Sequence, residues 1–154
     1  MAESWNSRCW RWLANMTPAY SRTGATITYI AHNFQEVHVA LPLNWKTRNH
    51  MNMIWGGSLY GAIDPIYGVM LWKLLGSGFK VIDKAATIRF RRPGHTTLHA
   101  RFVIDDAELK WLHTALLNQN NLNRHYQVEL RDSHGIVHMV CEKTIHIRRE
   151  YSAI

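Results

Sequence analysis

Cysteine is scarce in this chain: its 154 residues include two, Cys9 and Cys141, far apart and outside any CxxC or Cys/His cluster. That argues against a disulfide framework, and two free thiols in a reducing cytosol are expected. Proline occurs four times, and no Pro-, Gly- or Ser-rich linker, repeat or low-complexity tract divides the sequence. One domain over residues 1–154 is therefore expected. A domain of this size buries roughly two thirds of its unfolded surface, enough core to stand without covalent staples. The net charge is +7 and the pI near 9.7. No basic block exceeds three residues and no nucleic-acid-binding motif is present, so no nucleic-acid partner is expected. The N-terminus, MAESWNSRCWRW, has no apolar core ahead of a small-residue cleavage site. A cytoplasmic location is the expectation.

Long hydrophobic runs are also few. The longest, Met51 to Trp72, contains Asn52, Asp64, Pro65 and four glycines. A carboxylate at mid-span costs ~3 kcal/mol on insertion scales, so no membrane span is expected. The ten histidines suggest metal, but the pairs His134/His138 and His95/His99 lie in turn and strand contexts. Four extended residues span ~13 Å, too far to share one ion. No metal is expected.

What is present reads as strand, strand, long helix, then strands. Asn6 to Asn15 has helical periodicity and ends at Thr17-Pro18. Ala25 to His32 and Glu36 to Leu41 alternate as a hairpin across Asn33-Phe34-Gln35. Gly56 to Leu75 is a helix apolar on nearly every side, stopped by Gly76 and Gly78 and bent near Pro65. Val81 to Arg91 and Thr97 to Ile104 are further strands. Asp105-Asp106 caps a helix from Ala107 to about Leu117. Arg124 to Arg131 and Ile136 to Arg149 complete the set. This is an α+β pattern of about six strands and one helix that must be buried all round. The sheet must curl around that helix.

The chemistry concentrates at the start of the long helix. Gly56 and Gly57 expose backbone amides at the positive end of the helix dipole, suited to an oxyanion or a polarised carbonyl. Paired glycines also serve simply as a tight turn. Asp64 is the only charged side chain on the helix before Lys73. A buried carboxylate must be paired, hydrogen-bonded or functional. It follows Gly57 by seven residues, so the two face nearly the same way but lie ~10 Å apart along the axis. Two antiparallel central helices about a dimer two-fold would bring Asp64 of one chain to Gly56 and Gly57 of the other.

Asn49, Trp55, Gly56, Gly57 and Asp64 fall in the register of the hotdog-fold acyl-CoA thioesterases, of the phenylacetate-degradation type. The wider segment from Leu41-Pro42-Leu43-Asn44 through Asp83–Gly94 resembles an uncharacterised branch of that superfamily. The resemblance runs from about Ile27 to Arg149. It implies a hotdog fold, a long central helix wrapped by a curved antiparallel sheet, with a short N-terminal helical segment added. It implies hydrolysis of an acyl thioester on coenzyme A or acyl carrier protein, with coenzyme A as part of the substrate and no separate cofactor. A homodimer is implied, with a homotetramer as the larger assembly. Asp64 would attack the thioester carbonyl or activate a water. The Gly56 or Gly57 amide would polarise that carbonyl, and Asn49 would position the water. Trp55 stands where many members carry His, and a Ser or Thr found near the Arg92 position in some members is missing. Trp55 would contact acyl chain or pantetheine, and Arg89, Arg91 and Arg92 the coenzyme A phosphates. Trp45, Tyr60 and Trp72 are candidates for an acyl pocket or for the core.

Two rival readings remain. His50 with Asp64 has about the spacing of the hotdog dehydratases, which add or remove water across an acyl-thioester double bond. A non-catalytic acyl-CoA-binding protein is the other.

Overall fold

The computed structural model describes residues 2–150. Helix α1, Trp5–Met16, starts on a reciprocal cap in which Ser4 Oγ accepts from the Ser7 amide at 3.1 Å and Ser7 Oγ from the Ser4 amide at 2.9 Å. A short α2, Pro18–Ser21, follows, with proline at its first position where the missing N–H costs nothing. Strands β1, Thr26–Ile30, and β2, Glu36–Leu41, form the expected hairpin, with Phe34 of its loop at φ 61°. Then come α3, Gly56–Ile63, and α4, Ile66–Leu75. Strands β3, Phe79–Phe90, and β4, Leu98–Val103, lead to α5, Asp106–Asn118, whose Asp105 cap accepts from the Glu108 amide at 2.7 Å. Strands β5, Asn121–Arg131, and β6, Val137–Arg149, are the last elements among the described residues.

The six strands make one sheet in the order β1-β2-β4-β5-β6-β3, with every pairing antiparallel. Alternation supplies its inner face. Val37, Val39 and Leu41, then Leu98, Ala100 and Phe102, then Met139, Cys141, Ile145 and Ile147 all point inward and are buried. Burying each large apolar side chain contributes about 1.5–3 kcal/mol. The sheet is weakest between β4 and β5, where one residue pair, His99 with Arg131, is in register. Tyr67 of the central helix bridges that gap, donating to the Gln127 carbonyl at 3.4 Å while taking a bond from the Val103 backbone.

The central helix is one axis in two pieces. Asp64 and Pro65 keep right-handed helical dihedrals, and the ladder resumes with the Val69 amide on the Pro65 carbonyl at 3.0 Å. Proline removes one donor, so carbonyls near the bend need other partners. Tyr20 reaches across from α2 and donates to the Ala62 carbonyl at 3.0 Å. The expectation that this helix is covered on every side does not hold for the single chain. Val69 and Trp72 are exposed, because α1 covers only part of the face that the sheet leaves open; Trp10 meets Trp72 edge-on at 6.1 Å. Among the described residues no helix is long and apolar enough to cross a membrane.

The two sheet edges differ. Asn15 of α1 brackets β1 as a further strand would, donating to the Ile27 carbonyl at 2.9 Å and accepting from its amide at 2.8 Å, and Glu3 accepts from the Ile30 amide at 3.0 Å. The opposite edge, β3, is twelve residues long and exposed along most of its length.

Tyr20→Phe keeps the ring but leaves the buried Ala62 carbonyl without its donor. It should cost about 1–3 kcal/mol of stability, read as a lower urea midpoint at unchanged slope.

Candidate active site

The loop before α3 is built to deliver a bare helix start. Thr47, buried, donates to the Pro42 carbonyl at 2.7 Å, and its own carbonyl accepts from the Trp55 amide at 2.8 Å. Asn49 Oδ1 accepts from the Met51 amide at 2.9 Å and the Met53 amide at 3.3 Å, which folds the loop around Asn52 at φ 57°. Trp55 occupies the N-cap position and supplies no capping side chain. The first-turn amides of Gly56 and Gly57 therefore meet neither an intrahelical acceptor nor a cap. Both glycines also lie under aromatic rings that a side chain would have to displace. A Cβ on Gly57 would sit 2.7 Å from the Trp55 ring, and one on Gly56 3.3 Å from the Phe90 ring.

A surface pocket of about 330 Å³ gathers Asn49, Gly56, Arg91 and Arg92 with Met53 and Phe90. The remaining sequence candidates lie elsewhere. Trp55 is 63% exposed, its ring covering Gly57 beside the pocket. Arg89 does not join Arg91 and Arg92 at the pocket: β3 ends at Phe90 and the amides of Arg91 and Arg92 both turn onto the His138 carbonyl, at 2.8 and 3.2 Å. Arg89 instead pairs with Glu142 at 2.8 Å on the exposed sheet surface. His50 is exposed in the loop, without a hydrogen-bonding partner among the described residues. Trp45 is exposed as well, away from any core role. Among the described residues no three His, Cys, Asp or Glu side chains converge as metal ligands.

Asp64 sits at the helix bend, with its side chain 40% exposed rather than buried. The buried charge is Lys143 of β6, whose side chain is 0% exposed. Lys143 Nζ donates to Asp64 Oδ1 at 2.9 Å, to the Asp64 main-chain carbonyl, and to Asp83 Oδ2 at 3.0 Å. Three ammonium protons thus meet three oxygens. Asp83 reaches this point from β3, where the register slips between Asp83 and Ala85, a bulge that re-aims the side chain. Tyr60, one turn before Asp64, hydrogen-bonds its carboxylate. Burial first, and that bond second, raise the Tyr60 phenol above its ordinary pKa. Cys141 lies close enough to sense these charges; burial, chiefly, holds its thiol above the usual range. Sequence patterning overlooked Lys143 and Asp83. The available signal was periodicity: Lys143 falls on the inward-facing file between Cys141 and Ile145.

Within one chain the pocket at Asn49 and Gly56 and the carboxylate of Asp64 are separate. Eight residues of helix between Gly56 and Asp64 rise ~12 Å.

The strand order, the wrapped and bent helix and the open helix start define a hotdog fold. A structure from Pseudomonas aeruginosa, described as a protein of unknown function and probable thioesterase, matches with a TM-score of 0.82 at 20% identity, over 93% of this chain and 95% of that one. A thioesterase from Haemophilus influenzae matches with a TM-score of 0.71 at 16% identity, over 97% and 96% of the two chains. No curated protein matches the sequence. Residues 7–147 match the model of a domain of unknown function, DUF4442, and the chain belongs to that family.

Because Asn49 Oδ1 carries two loop amides, Asn49→Ala should lower stability by about 1–2 kcal/mol, whereas Asn49→Asp keeps the acceptor and should stay near wild type. Denaturant titration of both variants checks this.

Proposed function

We propose that this protein is a dimeric thioesterase that hydrolyses acyl thioesters of coenzyme A or of acyl carrier protein. The observation that carries the reading is a carboxylate, Asp64, oriented by a buried cation yet open to solvent, on a helix whose first amides are uncapped. An anchored carboxylate and amides without acceptors are what acyl transfer needs: one to drive attack on the carbonyl carbon, the other to hold the oxygen as it gains charge. Asp64 takes a proton from water as the water oxygen adds to the carbonyl, or attacks the carbonyl itself. The C–S bond then breaks, and the thiolate leaves and takes up a proton. By the direct route, water afterwards cleaves the mixed anhydride. Gly56 or Gly57 amides bind the oxyanion. Asn49 keeps its Nδ2 for the water, its oxygen being committed to the loop. Arg91 and Arg92, at the pocket beside Gly56, suit coenzyme A phosphates. Arg89, paired with Glu142, is left a lesser part. Trp55 offers its ring to pantetheine or acyl chain.

The shared site needs two chains. The uncovered β3 edge, with Ile82 and Phe90 exposed along it and Met51 and Trp55 exposed nearby, supports pairing through that side. An open edge of that length is a template for another strand. A two-fold there, with antiparallel central helices, sets Asp64 of one protomer against the helix start of the other. Sedimentation should give at least twice the 18.0 kDa chain mass; an active monomer would remove the shared site.

Thiol release from a panel of acyl-CoAs of varied length and aromaticity is the primary test. Asp64→Asn should lower kcat by about 10²–10⁴ with KM little changed, since it removes the acid–base group and leaves the binding contacts. His50→Ala should retain most turnover. Loss of activity in His50→Ala together with turnover of enoyl or 3-hydroxyacyl thioesters would instead establish the dehydratase reading. Binding of acyl-CoA with no turnover of any kind would mean a non-catalytic binder.

A further inference from the structure

Lys143 is a charge inside a file of apolar side chains, fully enclosed between β6 and the central helix. A buried ion pair is a poor stabiliser compared with an apolar side chain of the same size, so the core gains little from a lysine here. What the lysine does achieve is geometric. It holds Asp64 at two points, the carboxylate oxygen Oδ1 and the residue's own main-chain carbonyl. The side chain is thereby locked relative to the helix bend. Asp83 takes the third proton and stops the ammonium from swinging away. The ammonium is sealed from solvent while the carboxylate is 40% exposed, so a substrate can meet Asp64 but not Lys143. Two carboxylates against one ammonium also leave the cluster with a net negative charge, so the reacting group is held without being neutralised.

We propose that Lys143 is the positioning residue of the site: its buried ammonium fixes the attack geometry of Asp64, and Asp83 fixes Lys143. The inference rests on the reading of Asp64 as the reacting carboxylate.

The test uses the intact protein with octanoyl-CoA and phenylacetyl-CoA, alongside Asp64→Asn. Lys143→Met keeps the length of the stem, and both carboxylates it abandons can be hydrated. Its kcat should fall about 10²-fold, the cost of displacing a reacting group by roughly an ångström, with KM within about two-fold. Lys143→Ala should be equally slow and should recover turnover when n-propylamine is added, but not when n-propanol is. A merely structural lysine predicts neither the kcat–KM split nor the amine rescue. Folded Lys143→Met with kcat within two-fold of wild type, while Asp64→Asn is inactive, overturns the inference and leaves the thioesterase reading intact. Asp64→Asn with native kcat overturns that reading instead, and this inference with it. If the Lys143 variants do not fold, Asp83→Ala decides. It removes the third anchor of the ammonium at a side chain that is 31% exposed, so the fold is kept, and kcat should drop about three- to ten-fold at constant KM as Lys143 and with it Asp64 lose their fixed position. Unchanged kcat in Asp83→Ala overturns the inference.

Discussion

The proline in the middle of the central helix withdraws one amide from the ladder, and much of the molecule is arranged around the carbonyls near that bend. Tyr20 arrives from the N-terminal segment to serve Ala62, and Lys143 arrives from β6 to serve Asp64. Neither contact is local; their partners lie 42 and 79 residues away in sequence. The bend therefore ties the helix to both the N-terminal layer and the sheet. A straight helix would satisfy its own carbonyls and would give neither Tyr20 nor Lys143 a reason to enter the core. That one ammonium serves both a main-chain oxygen and the carboxylate of the same residue links a feature of backbone geometry to the orientation of the one acidic side chain on the helix.

The edges of the sheet follow a second constraint. Unpaired strand groups must be covered, bonded or left to a partner. Asn15 and Glu3 settle the matter for β1, using side chains in place of a strand. Among the described residues nothing does so for β3, whose long exposed edge carries apolar side chains. On the proposed reading the helix start and Asp64 would each provide half of an acyl-transfer site, about two turns of helix apart. A second copy placed across β3 would then both cover the open edge and join the two halves.

The fold alone does not supply the activity. The relatives in shape are 16–20% identical, and a shared architecture hosts different chemistries. Thioester hydrolysis is therefore proposed from an oriented carboxylate, uncapped amides and a pocket flanked by arginines, each of which can be perturbed separately.

Local pattern settled a good deal. Strand-like composition and alternation marked all six strands to within a few residues, and the clean alternation of a half-buried strand placed Glu36–Leu41 to the residue. The apolar stretch around Pro65 announced a bent central helix, although not that part of its face is left open in the single chain. Glycines 56 and 57 stood out as a helix start, although the rings that lie over them, Trp55 and Phe90, could not be read from spacing. What the tertiary structure decided was which distant groups meet. Arg89 left the company of Arg91 because β3 ends between them and the chain turns onto the His138 carbonyl. Asp83 turned toward the helix because of a register slip that no periodicity encodes. Lys143 looked like one more basic residue on a strand, and only the wrapping of β6 over the bend makes it the partner of Asp64. Period-two and period-3.6 patterns report which way a side chain faces within its own element. They carry no information on what stands opposite it, and an ion pair is a property of two elements at once.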